Sequence, residues 1–401
     1  MDSIPIPPKP TANAYFQLTF SLSKYAIYAL FRLFYDPKIT SMPAISKARE
    51  FPFIDLYDRF IADSKSGRRL QTNGKMLSAG TISNYTYTAN LLKQFSEQKQ
   101  FPLRIRPLKH LQKRELVREK NYWKKFYKKF TDYLYSDCGH FDNYVGQTTK
   151  NIRVFFNYLN KELLLGVGEF HKSFYTRKEE IPIVTLLPEE LNFLISDKDF
   201  ENSLPRRLRQ AKDVFVFGST VALRISDLLA LKKSQLRIAA DAWYLVVRSK
   251  KTSTDTQIRL PDYAVNILLK YKGKHKTLLP PFNKVNLNLY LKELMEKAGF
   301  THPITKTREK RGRLKEIVKT DDNKRSAYRF CDLVTTHTMR RTAITTMLCL
   351  GVPEQVVRKI SGHSPMSKEF FRYVAFAQSY QDQETGRMFE KLKEKRLHTT
   401  A

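Results

Sequence analysis

The sequence predicts a mainly α protein with a small antiparallel β-sheet, arranged as two modules joined by a linker. Three observations predict it. Apolar residues recur at helical spacing through most of the 401 residues. Two short β-rich runs, residues 243–249 (WYLVVRS) and 256–260 (TQIRL), flank Lys250-Lys251-Thr252-Ser253, which reads as a hairpin turn. Between the two modules, residues 166–184 carry Gly, Pro and charge without clean periodicity and read as a linker.

Taken in order, residues 1–50 form an N-terminal segment of unassigned role. Its apolar run 14–34 is interrupted by Gln17, Ser21, Ser23, Lys24 and Arg32, which is too broken for a membrane span. Residues 51–165 read as an all-helical basic module. Phe53, Leu56, Phe60 and Ile61 give the first helix its apolar side, and residues 64–77 read as a loop. Ser78 opens the next helix, with Ile82, Tyr85, Leu91, Leu92 and Phe95 inward. Residues 104–130 hold eleven Lys/Arg against two Glu, interleaved with Tyr122, Trp123, Phe126, Tyr127 and Phe130. That pattern predicts a helix with an aromatic core face and a cationic face suited to phosphates. Residues 147–163 predict a further helix, with Ile152, Phe155, Phe156 and Leu159 buried.

The second module, 185–375, starts at Thr185-Leu-Leu-Pro-Glu-Glu-Leu, where Thr185 or Leu187 precedes Pro188 and two acids. Such a lead-in starts a helix. Residues 210–231 predict one helix, and 284–298 another. Residues 301–325 read as a loop with nine Lys/Arg against four acids. From Thr336 the chain is helical again, broken at Gly351-Val352-Pro353, and residues 376–401 form a tail.

Composition narrows the function. Seventy-one basic against 39 acidic residues give a net charge of +32, which points to a polyanionic partner. Cys138, Cys331 and Cys349 are widely spaced, form no CxxC pair, and suggest neither a disulfide framework nor a zinc site. A reducing cytoplasm fits.

The chemistry concentrates in residues 337–373. His337 and Arg340 lie one helical turn apart, so their side chains project to one spot. A guanidinium fork grips two phosphate oxygens, and a neighbouring imidazole donates a hydrogen bond or relays a proton. The pair opens an otherwise apolar helix carrying Ile344, Met347 and Leu348, with Thr336 as its expected cap. A phosphate near that N-terminus would gain from its exposed N–H groups. His363 follows Gly362 at a turn, and Tyr373 comes ten residues later. Upstream, Arg224 sits alone on an apolar stretch, where a buried guanidinium needs a partner; Asp227, three residues on, is the simplest one.

The ordered set Arg224, a hairpin lysine, His337-x-x-Arg340, Gly362-His363 and Tyr373 resembles the tyrosine recombinase (phage integrase) family. The phrases TLLPEEL and GVPEQVVRKISGHS also resemble that family's catalytic domain, and the resemblance covers residues 185–396. It implies a helical core-binding domain (51–165) and a mixed α+β catalytic domain (185–375) that clamp DNA. It implies that Tyr373 is the nucleophile and forms a 3′-phosphotyrosyl bond. Arg224 and Arg340 would hold the non-bridging oxygens, and Lys251 would protonate the leaving 5′ oxygen, with Lys250 as the alternative. His337 would act in proton transfer, and His363 would support the phosphate or the tyrosine. The implied partners are double-stranded DNA, a homo-tetramer on two DNA sites, and accessory DNA-bending proteins. Residues 376–401 would be a subunit-docking helix. The implied place is the cytoplasm, at the nucleoid, with no membrane.

Physical logic agrees with these roles. Phosphoryl transfer needs positioning and charge stabilisation above all. Arginines and a lysine can supply the charge that metals supply elsewhere, and no carboxylate cluster near these motifs suits a metal, so neither metal nor cofactor is expected. A covalent phosphotyrosine conserves bond energy, so strands rejoin without ATP.

Three positions depart from the family pattern. Ala222 stands where Gly is frequent, Arg341 where a second His is often found, and the step from His363 to Tyr373 is one residue longer than the commonest family spacing, leaving Tyr380 as the other candidate nucleophile. Two other readings compete: a non-catalytic DNA-binding protein on the same fold, and a type IB topoisomerase-like enzyme.

Overall fold

The computed structural model describes residues 50–248, 255–321 and 324–399. The expectations for residues 1–49, for the hairpin turn and for Lys250 and Lys251 lie outside the described residues. Two compact units emerge: residues up to Gly139 with Tyr144–Thr176, and His140–Asn143 with residues from Arg177 onward.

The first unit is built on α1 (Phe53–Ser66), α2 (Ala79–Gln98), α3 (Lys113–Asp132) and α4 (Asp142–Lys161), with a two-residue pairing of β1 (Phe51–Pro52) and β2 (Arg104–Ile105). Ser78 caps α2 by accepting the Thr81 N–H at 3.2 Å. α1 runs to Ser66, past the expected loop start, and ends on Gly67 in the left-handed conformation that glycine adopts freely. The core is aromatic. Phe53 meets Phe155 at 5.0 Å between centroids, and Trp123 meets Phe156 edge-on at 4.8 Å. Such edge and offset geometries suit ring quadrupoles.

Trp123, Phe126 and Phe130 fill the buried face of α3, as its periodicity predicts. The opposite face exposes Lys113, Arg114, Arg118, Lys120, Lys124, Lys125, Lys128 and Lys129. The two-faced helix expected from residues 104–130 is found, but only from Lys113; Arg104–Ile105 form β2 instead, and residues 106–112 are not helical. Phe174 is also buried in this core, so the start of the expected linker packs as part of the unit.

The second unit holds α5 (Pro188–Ser196), α6 (Lys198–Ser203), α7 (Arg206–Val221), α8 (Ile225–Leu228), α9 (Asp262–Lys270), α10 (Lys284–Lys297), α11 (Phe330–Leu333), α12 (Thr336–Cys349), α13 (Glu354–Ser361) and α14 (Lys368–Thr399). α12 packs on α7 and α14, and α10 packs on α7. Beside them lies a three-stranded antiparallel sheet, β3 (Leu236–Ala239), β4 (Ala242–Arg248) and β5 (Asp255–Leu260), in the order β3-β4-β5. Its register pairs Trp243 with Leu260 and Arg248 with Asp255, which brackets the expected hairpin. β5 alternates strictly, burying Thr256, Ile258 and Leu260.

Three expectations change. The single helix over 210–231 is broken after Val221: Ala222 takes φ +53°, and α8 starts only after Arg224. A left-handed alanine costs about 1–2 kcal/mol, so packing must hold it; its methyl is fully buried. Residues 301–325 are not a loop. They form β6 (Pro303–Ile304), the hairpin β7 (Lys306–Lys310) and β8 (Arg313–Ile317), then β9 (Lys319–Asp321) and β10 (Lys324–Ser326); β6 pairs with β11 (Tyr328–Arg329). Finally, Thr335 rather than Thr336 caps α12, accepting the His337 N–H at 3.3 Å. Among the described residues no helix is long and apolar enough to cross a membrane.

Candidate active site

Five of the six expected site residues line one cavity of about 320 Å³: Arg224, His337, Arg340, His363 and Tyr373. The sixth, Lys251, lies outside the described residues. The five arrive from four local devices, with His337 and Arg340 sharing α12.

Arg224 is the residue that precedes α8, placed there by the left-handed turn at Ala222. The same turn aims the Ala222 carbonyl at Arg340, whose Nη1 donates to it at 2.7 Å. Arg340 Nη2 donates to the Ser361 carbonyl at 2.5 Å. Arg340 is 4% exposed and makes no ion pair among the described residues. Its pKa is pushed down to about 10, first by burial and then by the Arg224 charge. It therefore stays protonated at neutral pH. A buried guanidinium usually has a carboxylate partner. This one has two carbonyls, and its remaining N–H donors are available to an anion in the cavity.

The expected use of the α12 N-terminus is corrected here. Its first N–H groups are already occupied: Thr336 donates to Asn288 Oδ1 at 2.8 Å, His337 to Thr335 Oγ1, and Thr338 to the Thr335 carbonyl. Phosphate binding at this site falls to side chains.

His363 sits directly after Gly362, which ends α13 at φ +63°. The His363 N–H reaches back to the Arg358 carbonyl at 3.0 Å, closing a Schellman-type turn that glycine accommodates without strain. The Ser361 hydroxyl donates to the Val357 carbonyl at 2.7 Å and lies 2.8 Å from His363 Nδ1. A hydroxyl has one proton, and a carbonyl only accepts. Ser361 thus accepts from Nδ1–H, which assigns the tautomer and leaves Nε2 as the ring's acceptor.

The long step to Tyr373 is absorbed in an ordered turn. Arg358 Nη1 donates to the Ser364 carbonyl at 3.1 Å, and its guanidinium lies 4.0 Å from the Phe370 ring centroid. Ser367 N–H closes on Ser364 at 3.0 Å, and α14 begins one residue later. Tyr373 then falls in the second turn of α14, with its ring 6.0 Å from that of His363. The other candidate nucleophile is elsewhere: the Tyr380 hydroxyl bonds the Glu189 carboxylate, which raises its pKa.

Four further residues line the cavity: Ile183, Arg341, Glu369 and Arg372. Arg372 donates to the Ile181 carbonyl and to Glu369, and Glu369 also pairs with Lys178 at 3.0 Å. The signal for Arg341 and Arg372 was their adjacency to Arg340 and Tyr373. Arg341 was noted only as a departure from pattern, yet it adds cationic charge to the site.

That charge shows in the imidazoles. His337 opens to solvent on one side, but protein packing and the charges of Arg341, Arg340, Lys284 and Arg224 lower its pKa to about 4. His363 is lowered to about 4 by burial first, then by Arg340, Arg224 and Arg358. Both rings are neutral at pH 7 in the DNA-free protein. Bases with lowered folded-state pKa values contribute stability above the unfolded value of about 6.5 and lose it as pH falls toward 4. The urea midpoint of the DNA-free protein should therefore drop between pH 6.5 and 4. It should drop less in a His337→Gln/His363→Gln variant; parallel pH curves for the two proteins would contradict the assignment.

All the lining residues of the cavity except Ile183 lie within a segment that matches a known family: residues 189–379 match the model for the phage integrase family. These residues form a phage integrase family domain. Solved structures agree on the fold. A lambda integrase dimer bound to a COC′ core site superposes at TM-score 0.52 and 15% identity, over 90% of this chain and 86% of that one. A lambda integrase tetramer bound to a Holliday junction gives 0.52 and 16%, over 86% and 87%. The XerH site-specific recombinase in a post-cleavage complex gives 0.51 and 11%, over 86% and 98%. No curated protein matches the chain. The five cavity residues described above all fall inside the matched segment, and so, by its place in the sequence, does Lys251.

Proposed function

We propose that the chain is a tyrosine-type site-specific recombinase that cuts and rejoins DNA through a 3′-phosphotyrosyl intermediate. The observation that carries this reading is Arg340: a buried guanidinium with no carboxylate partner among the described residues, beside Arg224, in a cavity that also holds Tyr373. In this reading Arg224 and Arg340 grip the non-bridging oxygens of the scissile phosphate, and Arg341 adds charge to the same anion. The Tyr373 hydroxyl attacks phosphorus, and the P–O5′ bond breaks. Its proton passes to a neutral imidazole, for which His363 Nε2 is an acceptor by its tautomer. The 5′ oxygen takes a proton from the hairpin lysine, Lys251 or Lys250. Rejoining runs the same steps backward. An electrostatic clamp of fixed donors is worth most in such a transfer, because it needs no reorganisation as charge develops.

The partners follow from the same reading. The solved relatives carry DNA, as a dimer on a core site and a tetramer on a Holliday junction; the same duplex partner and a tetrameric synapse are proposed here. The exposed lysines of α3 supply non-specific phosphate contacts, and DNA-bending accessory proteins assist the synapse. For α14, the docking role belongs to residues beyond Gln381. Ala377 is buried, and Gln381 Nε2 bonds the Leu348 carbonyl within the same unit, so that first stretch is already committed. Met388 and Phe389 lie farther along, both about half-exposed.

The test is covalent capture. The full chain is incubated with a pool of nicked duplexes of randomised sequence, denatured and resolved on a gel. A shifted, protease-sensitive DNA band that yields a recurrent sequence supports the reading. Capture without sequence preference, together with relaxation of any supercoiled plasmid, would favour the topoisomerase-like alternative; no capture would favour a binding protein without catalysis.

A further inference from the structure

The hairpin β7–β8 separates its charges by face. In an antiparallel pair, residues directly opposite share one face. The register sets Lys306 opposite Ile317, Arg308 opposite Lys315 and Lys310 opposite Arg313, so five cations and no acid share one face. The other face carries Thr307, Glu309, Leu314 and Glu316, with Thr307 opposite Glu316 and Glu309 opposite Leu314. No cation meets an acid across the strands. Instead, two like-charged pairs sit directly opposite each other, which destabilises a hairpin.

The acids near the hairpin relieve this face only at Arg308. Glu179 is buried and takes Arg308 in a two-pronged ion pair together with the Glu309 N–H at 2.7 Å. The Asp142 carboxylate receives the backbone N–H groups of Arg311 and Gly312 at 2.8 and 2.7 Å, at the hairpin's turn. Lys306 rests over the Tyr328 ring. Lys310, Arg313 and Lys315 have no acidic partner among the described residues, and Arg313 and Lys315 are exposed. The Lys310 charge is felt by His140, whose pKa is lowered first by burial and then by this lysine. The hairpin is thus held by two buried carboxylates while Lys310, Arg313 and Lys315 keep their charges uncompensated among the described residues.

None of these residues lines the Tyr373 cavity. We propose that this face is a second DNA-backbone contact, in which Lys310, Arg313 and Lys315 bind duplex phosphates other than the one cleaved. The geometry suits it. Side chains on one face of a strand recur about every 6.8 Å, twice the roughly 3.4 Å axial charge spacing of one DNA strand. A two-stranded ribbon is also narrow enough for a major groove about 12 Å wide. Polyanion binding offsets the repulsion that remains among Lys310, Arg313 and Lys315, which accounts for Lys310 and Arg313 standing directly opposed.

The inference rests on reading the chain as a DNA recombinase, but its test is independent of covalent chemistry. Binding of the full chain to a fluorescein-labelled duplex of mixed sequence is measured by anisotropy from about 50 to 200 mM salt. The parent is compared with Lys310→Gln/Arg313→Gln/Lys315→Gln and with the opposite-face variant Glu309→Gln/Glu316→Gln. Each phosphate contact contributes about 0.9 to the slope of log K against log salt, so the triple variant should lose roughly 2 to 3 from that slope. It should keep its melting temperature and still capture nicked DNA at saturating concentration, and the opposite-face variant should keep the parental slope. A parental slope in the triple variant overturns the proposal; so does an equal loss of slope in both variants. Failure of capture by the parent protein would instead strike at the recombinase reading and leave the slope comparison intact.

Discussion

Replacing Tyr373 by Phe is expected to reduce covalent capture of nicked DNA to background while leaving folding and DNA binding unchanged. The expectation separates two properties of one side chain. The Tyr373 ring is buried against Phe370 and His363, and phenylalanine keeps that packing. The hydroxyl makes no hydrogen bond among the described residues, so its loss should change stability by no more than about 0.5 kcal/mol. Tyr380, the other candidate, is poorly placed to substitute. Tyr380 lies on the same helix, but its hydroxyl is held by Glu189 and its pKa is raised, which disfavours the phenolate. Capture retained by Tyr373→Phe and lost by Tyr380→Phe would transfer the nucleophile to Tyr380.

The second large effect is at Arg340. Arg340→Lys keeps the charge and loses the planar fork, which here bridges the carbonyls of Ala222 and Ser361. An ammonium cannot satisfy both carbonyls and still present paired donors to a phosphate. Single-turnover cleavage should fall on the order of 10²–10³-fold, equivalent to about 2.7–4 kcal/mol of transition-state stabilisation. Stability should fall as well, because each carbonyl left without its donor costs about 1–3 kcal/mol. The contrast with Tyr373→Phe is diagnostic: one variant loses chemistry alone, and the other loses chemistry and melting temperature together. A lysine variant that cleaves at the parental rate would remove Arg340 from the phosphate clamp.

Much of this site was legible before the structure, because its residue types are rare in their contexts. An arginine on an apolar helix, a His-x-x-Arg pair and a Gly-His turn each stand out chemically. The parts that were not legible depend on backbone conformation. The side chains of Val221-Ala222-Leu223 do not announce a left-handed alanine; the one signal was that Ala222 stands where Gly is frequent, and one helix was expected where the chain breaks to deliver Arg224. The hairpin 306–317 lacks apolar alternation, since its inward contacts are ion pairs to Glu179 and backbone bonds to Asp142. Its one local signal was Arg311-Gly312, both at positive φ, in the turn favoured between antiparallel strands. The cap shifted from Thr336 to Thr335 because neighbouring threonines are equivalent in sequence, and only Asn288 distinguishes them. The extra residue between His363 and Tyr373, a source of ambiguity in sequence, is taken up by the turn that Arg358 braces.

The most direct test of the central claim is to locate the covalent bond. Captured protein–DNA adduct is digested with nuclease and trypsin, and the nucleotide-bearing peptide is sequenced by mass spectrometry. The account predicts one modified peptide, with the 3′-phosphoryl group on the Tyr373 oxygen. A nucleotide on any other residue, Tyr380 included, would contradict it.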